Sequence, residues 1–104
     1  MRDIPRLKAE FFKALGHPLR IRALELLAER ERSVSSLADA MDIEQSALSQ
    51  QLGILRRAGF VTARRDGVNV IYALADPRIA DLLSVSRQML LDMISDTRER
   101  LRAS

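Results

Sequence analysis

The apolar residues of this chain change period twice, and those two switches restrict the fold more than any other feature. Up to Gly59 they recur every three or four positions, the spacing that lays one stripe along a helix. From Phe60 to Leu74 they shift to strand-favouring residues, with Val68, Val70, Tyr72 and Leu74 alternating onto one face. After Pro77 the helical spacing returns. A mainly α chain with one small β-hairpin near its C-terminal third is the arrangement that satisfies all three stretches.

Punctuation residues divide the helical part. Asp3 ahead of Pro5 suits a helix start, and Leu7, Phe11, Phe12 and Leu15 follow at helical spacing until Gly16. Pro18 opens a second helix, with Ile21, Leu24, Leu27 and Ala28 expected inward and Arg20, Arg22, Glu25 and Glu29 outward. The charged run from Glu29 to Arg32 reads as a solvated helix end. Ser33 and Ser35 offer caps for a short third helix carrying Leu37, Ala40 and Met41. After Asp42-Ile43-Glu44, a fourth helix runs from about Gln45 to Ala58, closed by Gly59 in a left-handed conformation. Asp66-Gly67 is a strong hairpin turn between Phe60–Arg65 and Val68–Leu74. Asp76-Pro77 caps a last helix reaching about Arg100. The expected order is helix, helix, short helix, helix, hairpin, helix, in a single domain over 1–104.

Charge singles out the middle of the chain. Lys and Arg number 17 against 14 Asp and Glu, a net of +3. The stretches 1–44 and 76–104 are each balanced, so the whole excess lies within 45–75, where Arg56, Arg57, Arg64 and Arg65 face only Asp66. Arginine suits bidentate contact with phosphate.

That basic stretch contains a pair of helices fit to read DNA. A short helix, a three-residue turn and a second helix, here about 34–58, make a helix-turn-helix whose second helix can enter the major groove. Ala47, Leu48, Leu52 and Leu55 are expected to pack the fourth helix on the domain. Its other early positions, Gln45, Ser46, Ser49, Gln50, Gln51 and Gly53, carry no charge. Their hydroxyls and amides can pair with base edges, and Gly53 would permit close approach. Arg56 and Arg57 follow, suited to phosphates at the groove rim. The hairpin, a wing at about 60–75, adds Arg64 and Arg65 just before its tip. Two plainer readings stand beside this one: Ser and Gln are tolerated on any helix surface, and arginines on an edge strand discourage aggregation.

These motifs resemble one family. Ala14-Leu-Gly-His-Pro-Leu-Arg-Ile-Arg-Ala-Leu-Glu-Leu-Leu27 is similar to the first-to-second helix segment of ArsR–SmtB type bacterial repressors. Ser33-Val-Ser-Ser-Leu-Ala-Asp-Ala-Met41 and Gln45 to Val61 resemble that family's helix-turn-helix, and Asp66-Gly67 with Ile71-Tyr72-Ala-Leu74 its wing. The resemblance covers nearly the whole chain. It implies a winged helix-turn-helix homodimer that binds operator DNA and commonly represses transcription until an effector releases it. Two residues depart from the pattern. Asp42 stands where glycine is frequent, although Asp tolerates a left-handed backbone. Glu44 stands where serine often caps the recognition helix, and is expected to face away from the DNA backbone.

The last helix carries more apolar residues than one core requires. Ile79, Leu82, Leu83, Val85, Met89, Leu90, Leu91, Met93, Ile94 and Leu101 cover more than one stripe. A second copy of the chain is the expected cover, through helices at about 4–15 and 76–100. Leu7, Phe11, Phe12, Leu82, Val85, Met89, Leu90 and Met93 are the expected interface. A wholly buried core helix is the plainer reading.

The family's sensor sites find no match. The chain has no cysteine, which removes thiolate ligands. Positions aligned with the family's last-helix ligands are Asp76, Arg78, Met89 and Asp92, a poor set for a transition metal. The sole histidine, His17, reads as a cap or packing residue, and Met1 as the initiator. No metal and no cofactor are expected. The signal is left open between a small molecule, a partner protein and the chain's own concentration. An enzyme has little to build on, with no phosphate-cradling loop and no paired acids. A DNA-independent helical interaction module, a partner-dependent co-regulator and sequence-independent DNA packing remain as alternatives. The longest apolar run is far short of a membrane span and the first residues are charged, so the expected location is cytoplasmic.

Overall fold

The computed structural model describes residues 3–103; Met1, read above as the initiator, lies outside them. Eight elements follow in order: α1 (Ile4–Leu15), α2 (Pro18–Glu29), β1 (Arg32–Ser33), α3 (Val34–Met41), α4 (Gln45–Arg57), β2 (Val61–Asp66), β3 (Asn69–Leu74) and α5 (Arg78–Ala103).

Local chemistry sets most of the boundaries. The Asp3 side chain accepts a hydrogen bond from the Arg6 N–H, and Ser33 accepts one from Ser36 N–H, each satisfying an orphan donor at a helix start. His17 caps α2 through Nδ1, which accepts from Leu19 N–H at 3.1 Å. Asp42 ends α3 at φ 53°, in the left-handed region. Its N–H reaches the Asp39 carbonyl while Ile43 N–H reaches that of Ala38, a Schellman closure that turns the chain sharply into α4. Gly59, at φ +86°, closes α4 in the same way: Gly59 N–H donates to Arg56 and Phe60 N–H to Leu55.

The core gathers Leu24, Leu27, Leu37, Leu48, Leu52, Leu55 and Phe60, all buried, beneath the sheet residues Val61 and Tyr72. From α5 only Ile79 is buried there, with Leu82 and Leu83 packed against it. Every later residue of α5 is exposed. The helix therefore leaves the body, and the molecule measures 60 × 42 × 22 Å.

Several expectations need correction. The sheet has three strands in the order β1-β3-β2, all antiparallel, rather than a bare hairpin. The run Glu29–Arg32 is thus only partly a helix end: α2 stops at Glu29, Arg30 is extended, and Arg32 pairs with Tyr72. Ala28, Ala40 and Ala47 are exposed, whereas Ala23, Leu26 and Ala38 are buried in their stead. A methyl group contributes too little apolar area to fix which way a helix rotates. Val68 does not continue the inner face of β3. It precedes that strand at the wing tip and is 96% exposed. The last helix begins at Arg78 and continues past Arg100 to Ala103.

Candidate nucleic-acid interface

Leu48, Leu52 and Leu55 recur at spacings of four and three, so burying them fixes the rotation of α4 on the core. That rotation exposes Gln45, Ser46, Ser49 and Gln50. Ala47, expected inward, stands among them and adds a methyl to the same exposed surface. One further residue behaves differently from expectation. Gln51 is half-buried, and its Oε1 accepts a 2.9 Å hydrogen bond from Arg20 Nη1. At Gly53 a Cβ would lie 3.3 Å from Nη1 of the exposed Arg57 side chain, which lies alongside this position. Arg56 and Arg57 are exposed in the last turn of α4, where cations also favour the helix dipole.

The wing stands beside the start of α4. Gln45 and Ser49 share an open hollow of about 260 Å³ with Val34, Ser35 and the wing residues Val68, Asn69 and Val70. Strand alternation puts Arg64 and Arg65 on opposite faces. Arg65 continues the face of Val61 and Ala63, which packs over the helices, and its cross-strand neighbour is Val70. Arg64 lies on the outer face, where both of its Nη atoms donate to the two carboxylate oxygens of Glu31 at 2.8 Å. These hydrogen bonds hold the Glu31 carboxyl below its ordinary range and push the Arg64 guanidinium up. The sequence gives no sign of the pairing, because 33 positions separate the partners.

Glu44 precedes α4, is exposed, and makes no side-chain cap. The residues matching the family's last-helix ligands do not fit a transition metal. Both oxygens of Asp76 receive the Arg78 guanidinium, and Asp76 Oδ1 also accepts Arg78 N–H at 2.9 Å, holding that carboxyl down to about 2. Asp92 Oδ1 accepts from Gln88. Imidazole and thiolate are absent from the set. Among the described residues no three His, Cys, Asp or Glu side chains gather as a metal group.

Leu7, Phe11, Phe12, Val85, Met89, Leu90 and Met93 are all exposed in the single chain, and Leu82 is half-buried. Phe11 is also tied to the body, its ring 4.7 Å from that of Phe60. Ile4, Leu91, Ile94 and Leu101 extend the exposed apolar surface. No helix among the described residues is long and apolar enough to cross a membrane.

A second helix whose early exposed face is uncharged and whose last turn carries Arg56 and Arg57, a basic strand pair beside it and a three-helix support together define a winged helix-turn-helix, the architecture of DNA-binding regulators. Residues 17–63 match the pattern of the bacterial regulatory protein arsR family. An HTH-type transcriptional regulator of Mycobacterium tuberculosis strain H37Rv is 60% identical over 92 residues, covering 88% of this chain and 81% of the relative. The chain belongs to the ArsR family of transcriptional regulators. A crystal structure of a Mycobacterium tuberculosis protein superposes with a TM-score of 0.85 at 56% identity, covering 93% of this chain and 98% of that one. The solution structure of a homodimeric winged helix-turn-helix DNA-binding domain from Mycobacterium bovis gives a TM-score of 0.81 at 29% identity, covering 89% and 86%. The biofilm growth-associated repressor of Xylella fastidiosa is 40% identical over 76 residues, covering 73% of this chain and 67% of the relative.

Proposed function

We propose that two copies of this chain pair through α1 and α5 and bind a pseudo-palindromic operator as a cytoplasmic repressor, the whole chain acting as one DNA-binding and dimerisation domain. One observation carries the reading: the uncharged exposed surface at the start of α4, followed by Arg56 and Arg57 and flanked by the wing whose Val70 pairs with Arg65. Gln45, Ser46, Ser49 and Gln50 are assigned to base edges, and the arginines, Arg64 included, to phosphates. Glu44 is turned from the backbone, since its carboxylate would repel phosphate oxygens.

Homodimerisation of the Mycobacterium bovis neighbour and the repressor names of the relatives support the assignment. A helix that buries one residue and exposes Val85, Met89, Leu90 and Met93 calls for a cover, and a second copy supplies it. Release does not run through the family's metal sites, whose donors are missing here. It falls to an effector molecule, a partner protein or the concentration of the chain itself.

The test is titration against the DNA upstream of its own gene over a range of salt. A twofold complex touching several phosphates loses affinity steeply as salt rises. Arg65→Ala weakens all sequences alike and lowers the salt slope by about 1. Gln50→Ala shifts preference among sequences by ~1–3 kcal/mol. Salt-independent binding, or unchanged preference in Gln50→Ala, overturns the assignment.

A further inference from the structure

Helical spacing puts Arg20 on the outer surface of α2, yet its side chain turns inward and joins three helices. Its Nε donates to the Ala14 carbonyl at 2.6 Å and its Nη2 to that of Lys13 at 3.4 Å, both in the last turn of α1. The Lys13 carbonyl also accepts the Gly16 N–H at 3.0 Å, and both carbonyls lie at the end of the helix that carries the negative pole of its dipole. The same guanidinium donates through Nη1 to Gln51 on α4. Few other contacts fasten α1: only Ala14 and Leu15 are buried in it, and Phe11 rests on Phe60.

We infer that Arg20 and Gln51 are positioning residues that fix the recognition helix relative to α1, and through α1 relative to the twofold axis. The inference rests on the proposed twofold reading. Gln51 has a chemistry that could read bases, but its acceptor is already engaged. Its neighbours Ser49 and Gln50 are exposed and make no such bond among the described residues. A planar guanidinium spans three acceptors at fixed angles, which a flexible ammonium does not. Its consequence is geometric. One base pair added between half-sites moves the second by ~3.4 Å along the duplex and ~35° around it. A dimer discriminates against that change only if each α4 is held rigidly to its own α1.

The probe is the tightest sequence that the wild-type chain selects from random duplex DNA, together with versions one base pair longer and shorter between half-sites, and a single half-site. Wild type should prefer the selected spacing by about tenfold or more. Gln51→Leu should reduce that preference to about threefold or less. Its half-site affinity, its dimerisation by sedimentation and its melting transition should stay near wild type. Gln51→Glu, which keeps an acceptor for Arg20, should retain the preference. If Gln51→Leu still discriminates spacing, or if it loses half-site affinity in proportion, the positioning role is overturned while the twofold reading stands. If wild type itself ignores spacing, the twofold reading falls and the positioning role with it.

Discussion

Arg64 and Arg65 are neighbours with the same side chain, and they occupy opposite physical situations. Arg65 projects from the sheet face that packs over the helices, without an ion pair among the described residues, whereas Arg64 is held by both oxygens of Glu31. Sequence marks both as phosphate ligands, since a charge is legible but its partner across 33 positions is not. Any phosphate contact by Arg64 must compete with Glu31. Replacing Glu31 by Gln should therefore tighten DNA binding at low salt by about two- to fivefold, the modest effect that an exposed, solvent-screened pair allows. The folded Glu31 carboxyl is lowered from 4.5 by its hydrogen bonds to Arg64. The stabilising contribution of the pair is thus complete above 4.5 and disappears only as pH falls through the lower folded value. Affinity of wild type and Glu31→Gln should accordingly differ throughout the neutral range. Equal affinities in a low-salt titration at neutral pH would show that Arg64 never reaches the phosphates.

The elements themselves were largely legible because each has a local cause. Helices α2 and α4 follow from leucine spacing, and their ends from Pro18 and Gly59. Asp42 could be assigned its left-handed turn because few other residues accept it. Strand β1 escaped notice for the converse reason. Two residues display no period, and Arg32–Ser33 becomes a strand only because β3 offers it an edge. Nor could the sequence say which alanines face inward or which way Arg20 bends. Those outcomes depend on packing against helices far along the chain. The joint between recognition helix and wing tests a local cause directly. Gly59 has φ +86°, and nothing lies within 4 Å of the point a Cβ would occupy, so a side chain there meets no steric obstacle beyond the backbone's own. Gly59→Ala should cost ~1–2 kcal/mol through the left-handed conformation alone, read as a lower urea midpoint with unchanged slope. An unchanged midpoint would mean that Phe60 and Val61 can re-form the turn by another route.

At the scale of the molecule, α5 decides what the single chain lacks. Its 26 residues extend ~39 Å at about 1.5 Å each, and beyond Leu83 every one is exposed. Val85, Met89, Leu90 and Met93 are each more than half exposed. With the exposed Leu7 and Phe12 of α1, they make up apolar surface that one chain does not cover. Covering a large apolar side chain is worth ~1.5–3 kcal/mol, and a twofold axis counts each residue twice. Met89→Glu should therefore raise the dimer dissociation constant by on the order of a hundredfold or more, since ~2.7 kcal/mol is two decades. Met89→Leu, of similar volume, should change it little. Each protomer of Met89→Glu still carries its own Leu48–Leu52–Leu55 core and reading surface. Binding to one half-site should persist, while affinity for the full operator falls by ~10²–10⁴ as the second contact ceases to be intramolecular. Sedimentation equilibrium beside half-site and full-site titrations separates these effects. A Met89→Glu chain that stays dimeric and keeps full-site affinity would move the interface away from the middle of α5.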